Sequence, residues 1–287
     1  MPRVAYVNGI YVQHMSATVH IEDRGFQFAD GVYEVISIRN KRLIDPKMHL
    51  DRLNRSLFEL QISWPTSRGV FSVILKEVIL RNRVANGSVY IQITRGISDR
   101  DFAYSKNLKP SIIIYTRKTR QDTLETANVG YKVISKPDIR WKRCDIKTVS
   151  LLPAVMAKQA AVEAGAVEAW LVNEQGMVTE GTSSNAWIVT LNDELITRNI
   201  DNSILSGVTR KSVLKLAQKL NLVLIERAFS LIEAIQAKEA FFTSSTALVK
   251  PVIEIDNKKI GEGKVGPITT LLIKNYLSYM DTQNEAY

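Results

Sequence analysis

The chain has 287 residues, 45% apolar and 23% charged, enough for one large or two modest domains that each bury a core. With 14 glycines and 8 prolines it is neither collagen-like nor a proline-rich disordered chain. One cysteine, Cys144, and three scattered histidines, His14, His20 and His49, exclude a disulfide scaffold and a thiolate zinc site, imply no metal, and fit a reducing compartment.

The opening MPRVAYVNGIYV has a polar turn where a secretory signal carries its apolar core, and runs such as Ser111–Tyr115 are only of strand length. A cytoplasmic protein with no membrane partner is expected. The net charge of +9 is dispersed, its densest stretches broken by Asn40 and Trp141, with no finger spacing or aromatic ladder beside it. That argues against nucleic acid and suits anionic substrates.

In chain order, Ala5-Tyr6-Val7 and Ile10-Tyr11-Val12 flank Asn8-Gly9 as a hairpin. EDRGFQFADG follows, then a β-branched run over Val32–Arg39. Pro46 opens a helix with Leu50, Leu53, Leu57 and Leu60 on one face, and Val70, Val73, Ile74 and Val78 mark a second. Strands are predicted at Ser88–Thr94 and Ser111–Arg117. These elements make a small N-terminal α/β domain over 1–117, joined by a polar linker at 118–126 to a larger domain over 127–287. There, strands are predicted at Tyr131–Lys136, Glu168–Val172 and Ala186–Thr190, and a late hairpin around Asp256-Asn257. Helices are predicted at Pro153–Gly165, Val208–Leu220 and Pro267–Met280, and Ser230 with Glu233 has capping-box spacing. The class is mixed α/β (α+β) in two domains.

No dinucleotide, Walker, HExxH, GxSxG or CxxC motif is present. Four clusters remain: RCDIK at 143–147, TEGTSSN at 179–185, SGVTR at 206–210 and TSST at 243–246. The last three are the material of an anion nest, and Val208 and Thr209 open a helix whose N–H groups suit a phosphate. Plainer readings stand beside these. Lys147 is one more solvated lysine, although Ile146 and Val149 suggest a partly buried strand that would free a nucleophilic amine; Glu180 is a first-turn helix residue, Ser244-Ser245-Thr246 a helix cap, and Cys144 a small core residue with no histidine near it in sequence.

Taken together, EDRGFQFADGVYEV, HLDRL, ITRG, DIRWKRCDIKTVSLLPAVMAKQAA, VTEGTSSNAWIV, ILSGVTR and FFTSSTALVKPVIEID resemble the fold-type IV aminotransferases that use pyridoxal 5′-phosphate. The likeness runs from about Tyr6 to Tyr276 and is greatest to the D-amino-acid (D-alanine) branch. It implies a two-domain fold-type IV architecture whose larger domain binds the cofactor. Lys147 bonds the cofactor aldehyde and carries a proton, while Glu180 pairs with the ring nitrogen. Arg52, Val208, Thr209 and Ser245 hold the phosphate, and Leu205 packs on the ring. Tyr33, Val35 and Arg100 contact substrate, with the Arg100 loop supplied by the other subunit of a homodimer. Phe102 stands where that branch has a histidine, and Ser37 where it has a lysine. The implied reaction is ping-pong transfer of the amino group of a D-amino acid, D-alanine foremost, to 2-oxoglutarate, giving pyruvate and D-glutamate. The alternatives are a branched-chain L-amino-acid aminotransferase and, from another class, a nonenzymatic basic interaction protein.

Overall fold

The computed structural model describes residues 3–283. Met1–Pro2 and residues 284–287, the outer ends of the two domains read from the sequence, lie outside the described residues. The described residues form two compact units, one of residues 3–121 with 146–150 and 281–283, the other of 122–145 with 151–280.

The first unit holds β1 (Val4–Val7), β2 (Ile10–Gln13), α1 (Arg24–Phe28), β3 (Gly31–Arg39), β4 (Arg42–Leu43), α2 (Pro46–Glu59), α3 (Arg68–Asn82), β5 (Gly87–Thr94) and β6 (Ser111–Lys118). Asn8 and Gly9 take positive φ values of 47° and 102°, the left-handed turn that makes the first hairpin. The strands form an antiparallel sheet in the order β2-β1-β6-β5-β3-β4. Alternate residues such as Ile36, Ile38, Val89, Ile91 and Ile114 are buried in one core with Leu53 and Leu57 of α2 and Phe71, Ile74 and Val78 of α3. The period of two on the strands meets the three-and-four spacing on the helices. α2 stops at Glu59, before Pro65, because Gln61 turns to φ 53°. Helix α1 falls in the segment that the sequence left without an element; Asp23 caps it by accepting from the Gly25 N–H.

The second unit holds α4 (Leu124–Ala127), β7 (Tyr131–Pro137), α5 (Leu152–Glu163), β8 (Glu168–Val172), β9 (Val178–Gly181), β10 (Asn185–Val189), β11 (Leu195–Thr197), α6 (Val208–Lys219), β12 (Leu224–Glu226), α7 (Leu231–Ile235), β13 (Glu239–Ser244), β14 (Leu248–Ile255), β15 (Lys258–Lys259) and α8 (Pro267–Asp281). Its sheet runs β12-β11-β10-β13-β14-β7-β8-β9, mixing parallel and antiparallel pairs, with β15 on β14. Trp170, Phe242, Phe229 and Ile188 build its main core. The alanine-rich α5 comes close to β8 through Ala157, Ala161 and Ala169.

Ser230 caps α7 by accepting from the Glu233 N–H. The reciprocal half of the predicted box is missing because the Glu233 carboxylate is taken by Arg227.

Candidate active site

Lys147 stands half-buried just after Ile146, which is packed in the core of the first unit. It does not lie within a strand as its apolar neighbours suggested; Thr148 next to it makes one isolated bridge to Val32. The Lys147 main chain is held on both sides: the Tyr33 N–H donates to its carbonyl at 3.0 Å, and its own N–H donates to the Ser56 hydroxyl at 3.3 Å. The Lys147 Nζ lies 4.2 Å from the centre of the Tyr33 ring. Ser56 is one turn beyond Arg52 on α2, so that helix both supports the lysine backbone and carries the arginine. Arg52 is buried, with its guanidinium forked on the carboxylate of Glu34, which also meets the His49 ring at 2.7 Å.

Tyr33, Val35 and Ser37 alternate along one face of β3, opposite the buried Glu34 and Ile36. Tyr33 stacks on Tyr90 at 5.8 Å, and Tyr90 on Tyr115 at 4.9 Å. Burial, with Tyr115 and Tyr33 beside it, pushes the Tyr90 phenol well above its ordinary range. Arg100 and Phe102 sit on the exposed loop between β5 and β6 and make their ring contacts with Phe28. The Arg100 guanidinium lies 5.3 Å and the Phe102 ring 5.6 Å from the Phe28 ring, and Phe102 is 82% exposed. Arg24, paired with Asp30, ties the loop down by donating to the carbonyls of Asp101 and Phe102. Phe28 and Arg24 were not singled out in the sequence; their signal was the aromatic and arginine of RGFQF just before DGVYEV.

In the second unit Glu180 is buried on strand β9, not in the first turn of a helix. One carboxylate oxygen accepts from Arg140, and the other from the Asn185 side chain and the Leu205 N–H, each at 3.1 Å. Arg140 is in turn forked on Asp138. Burial lowers the pKa of Arg140, but Asp138 and Glu180 outweigh it and raise that pKa above its ordinary value. The Asn185 amide also donates to the Leu205 carbonyl at 3.0 Å, tying the carboxylate to the turn before α6. A Cβ on Gly207 would stand 2.0 Å from the Asn185 side-chain oxygen, so that turn requires glycine. Gly207 has no side chain with which to cap α6, while Val208 and Thr209 behind it are buried. An uncapped, buried helix start twelve residues long suits an anion.

Ser245 is in the turn between β13 and β14, so the serine cluster caps no helix. Burial pushes the Cys144 thiol up to about 11, with Arg140 opposing, and its sulfur donates to the Trp141 carbonyl. Such a thiol is half-buried and protonated, unsuited to nucleophilic attack. Arg140 and Asn185, like Arg24 and Phe28, were not singled out in the sequence. Asn185 ends the TEGTSSN cluster and Arg140 lies three residues before RCDIK, and neither carried a spacing that set it apart.

Residues 31–255 match the model of the class IV amino-transferase family. The chain is 42% identical over 262 residues to the D-alanine aminotransferase of Bacillus licheniformis, covering 91% of this chain and 92% of that one. It is 35% identical over 283 residues to that of Staphylococcus aureus strain N315, covering 97% and 98%. Among solved structures, the branched-chain amino acid aminotransferase of Escherichia coli superposes with a TM-score of 0.88 at 20% identity, over 99% of this chain and 96% of that one. The Thermoproteus uzoniensis branched-chain enzyme, solved with norvaline, gives 0.84 at 25% identity, over 99% of each chain.

Proposed function

The chain belongs to the class IV aminotransferases, enzymes that work with pyridoxal 5′-phosphate, and from that premise we propose that it transfers the amino group of a D-amino acid, D-alanine foremost, to 2-oxoglutarate by a ping-pong route. The products are pyruvate and D-glutamate. Membership in an enzyme family sets aside the reading as a nonenzymatic basic protein. The observation that carries D-specificity is the 42% identity to a D-alanine aminotransferase over nine-tenths of the chain.

The residues suit the cofactor by their chemistry. The buried, uncapped start of α6 at Val208 and Thr209, together with Arg52 and Ser245, would hold its phosphate dianion. Glu180, held by Arg140 and Asn185, would receive the protonated ring nitrogen. Leu205 would lie against the ring. When bound, the cofactor supplies an aldehyde and an electron-withdrawing ring that takes up the electron pair left at the substrate Cα. Lys147 would hold that aldehyde through its Nζ and, once the substrate amine takes its place, would as a free amine move the proton between the substrate Cα and the cofactor's aldehyde carbon. Tyr33 and Arg100 bind the substrate carboxylate, and Val35 and Phe102 bound the side-chain space. Arg100 reaches the site of the other subunit in a homodimer. A cytoplasmic location completes this reading. No helix among the described residues is long and apolar enough to cross a membrane.

A second reading, branched-chain L-amino-acid transfer, is favoured by the exposed apolar ring of Phe102 in the carboxylate-binding loop. Single-turnover half-reactions with paired D- and L-alanine and D- and L-leucine, followed by cofactor absorbance, separate the two. D-alanine faster than L-leucine is the expected result; the reverse order replaces the first reading by the second.

A further inference from the structure

The first unit has a concavity whose chemistry differs from that of the candidate active site. Strands β1 and β6 pair only at Tyr6 with Ile114 and Val7 with Ile113. Upstream, the Val4 main chain turns to the Asn82 side chain, which accepts from the Val4 N–H at 2.9 Å and donates to the Val4 carbonyl at 2.8 Å. Between the start of β1 and the ends of α3 and β6 this leaves a pocket of about 490 Å³. Five of its lining residues are cationic, Arg3, Arg81, Arg83, Arg117 and Lys118, and none is acidic. They come from three separate stretches of sequence, so only the fold collects them.

Internal partners neutralise only one member of this set. Glu77 pairs with Arg81 at 2.6 Å, and Arg81 also covers the Tyr11 ring at 4.1 Å. Arg3 donates to the Thr116 carbonyl at 2.9 Å, a contact that fixes its direction and leaves its charge. Among the described residues Arg83, Arg117 and Lys118 have no acidic partner, and all three are exposed. A concave wall of one sign focuses its field and concentrates counter-ions.

We propose that this pocket binds a small ligand carrying a chain of phosphoryl groups, recognised through its phosphates. Charge decides the class. With Arg81 paired to Glu77, four cations remain; a dicarboxylate such as 2-oxoglutarate leaves two of them unmatched, and a single phosphate brings only about −1.5 to −2. Two or three linked phosphoryl groups balance the set, and arginine forks match their paired oxygens. The volume falls in the range of small-ligand sites, roughly 300–1,000 Å³. No aromatic residue lines the pocket, so a nucleotide base gains no stacking there.

The test is calorimetric titration of the cofactor-loaded enzyme, whose own phosphate site is filled, with tripolyphosphate, ATP, 2-oxoglutarate and a short RNA. Saturable binding of tripolyphosphate at one per chain is expected, weakened at least about tenfold in Arg83→Gln/Lys118→Gln, with unchanged circular dichroism and cofactor absorbance. ATP binding equal to tripolyphosphate identifies the phosphate chain alone as the ligand; tighter ATP binding identifies a nucleotide. Absence of saturable binding at millimolar tripolyphosphate overturns the proposal. So does binding that the double variant leaves unchanged, or preference for RNA over both phosphate compounds. Arg117→Gln, at an exposed strand end, provides a second variant should the double one fold poorly.

Discussion

Arg52 is gripped along one edge by Glu34, Nε on Oε1 at 2.7 Å and Nη2 on Oε2 at 2.8 Å, with both side chains buried. Burial alone would raise the Glu34 pKa; the Arg52 ion pair and hydrogen bonds, with His49, more than reverse this and draw it from 4.5 to about 2. Burial lowers the His49 pKa against the pull of Glu34. The arginine assigned to the phosphate is therefore a fixed cation, oriented by a carboxylate rather than by its own rotamer preferences.

This arrangement makes stability sensitive to acid. Glu34 contributes fully above its ordinary value of 4.5, and the contribution is lost as pH falls from there toward about 2. His49, whose neutral form burial favours, acts in the same direction as pH drops below 6.5. In Glu34→Gln the Arg52 charge loses its ionic partner, at a cost of about 3–5 kcal/mol. Thermal unfolding is expected to show a lower Tm at neutral pH. Denaturant titrations are expected to show a flatter loss of stability between about pH 5 and pH 3 than in the wild type. An unchanged pH profile would remove Glu34 from this role.

Lys147 is expected to be the residue marked when the cofactor-loaded enzyme is reduced with borohydride and its peptides are weighed. Lys147→Ala is expected to lose steady-state transamination while still binding cofactor noncovalently. Labelling of a different lysine alone would disprove the assignment.

Glu180→Gln is expected to slow Cα proton abstraction by about 10²- to 10⁴-fold in rapid-mixing half-reactions. Asn185→Ala removes the amide shared by Glu180 and the Leu205 carbonyl, a loss of about 1–3 kcal/mol. Cofactor affinity, measured by reconstitution of the stripped enzyme, is expected to fall by about tenfold or more. Tight reconstitution by Asn185→Ala would show that the turn before α6 holds its shape without that amide.

Arg100→Ala is expected to lower kcat/KM for D-alanine by at least about tenfold, with little change in cofactor affinity. Phe28→Leu removes the ring beneath Arg100 and is expected to raise KM with kcat nearly constant. The two changes should couple by about 0.5–1 kcal/mol in a double-mutant cycle. Strict additivity would mean that Phe28 does not position the arginine.

Mixing Lys147→Ala chains with Arg100→Ala chains is expected to recover part of the activity, because a heterodimer would rebuild one complete site. No recovery after verified subunit exchange would assign lysine and arginine to the same chain's site.

Local pattern determined much of this protein. The Asn8-Gly9 turn, the leucine spacing of α2 and the alternation along β3, β5 and β6 are properties of neighbouring residues, so each element is legible where it stands. The clusters around Lys147, Glu180 and Val208 were likewise visible, since unusual residues are crowded there. Strand β9 was not, because four residues rich in Thr, Glu and Gly have no strand signature until β8 pairs with them. Only the tertiary structure joined Ile146–Ser150 to the first unit, through the buried Ile146 and the bonds from Lys147 to Tyr33 and Ser56. It alone gave Glu34 to Arg52, Arg140 to Glu180 and Asn185 to Leu205. Those pairings span tens of residues in most cases and depend on which face of a strand or helix turns inward. Their geometry exists only after the cores have closed and a buried charge or amide must find its partner.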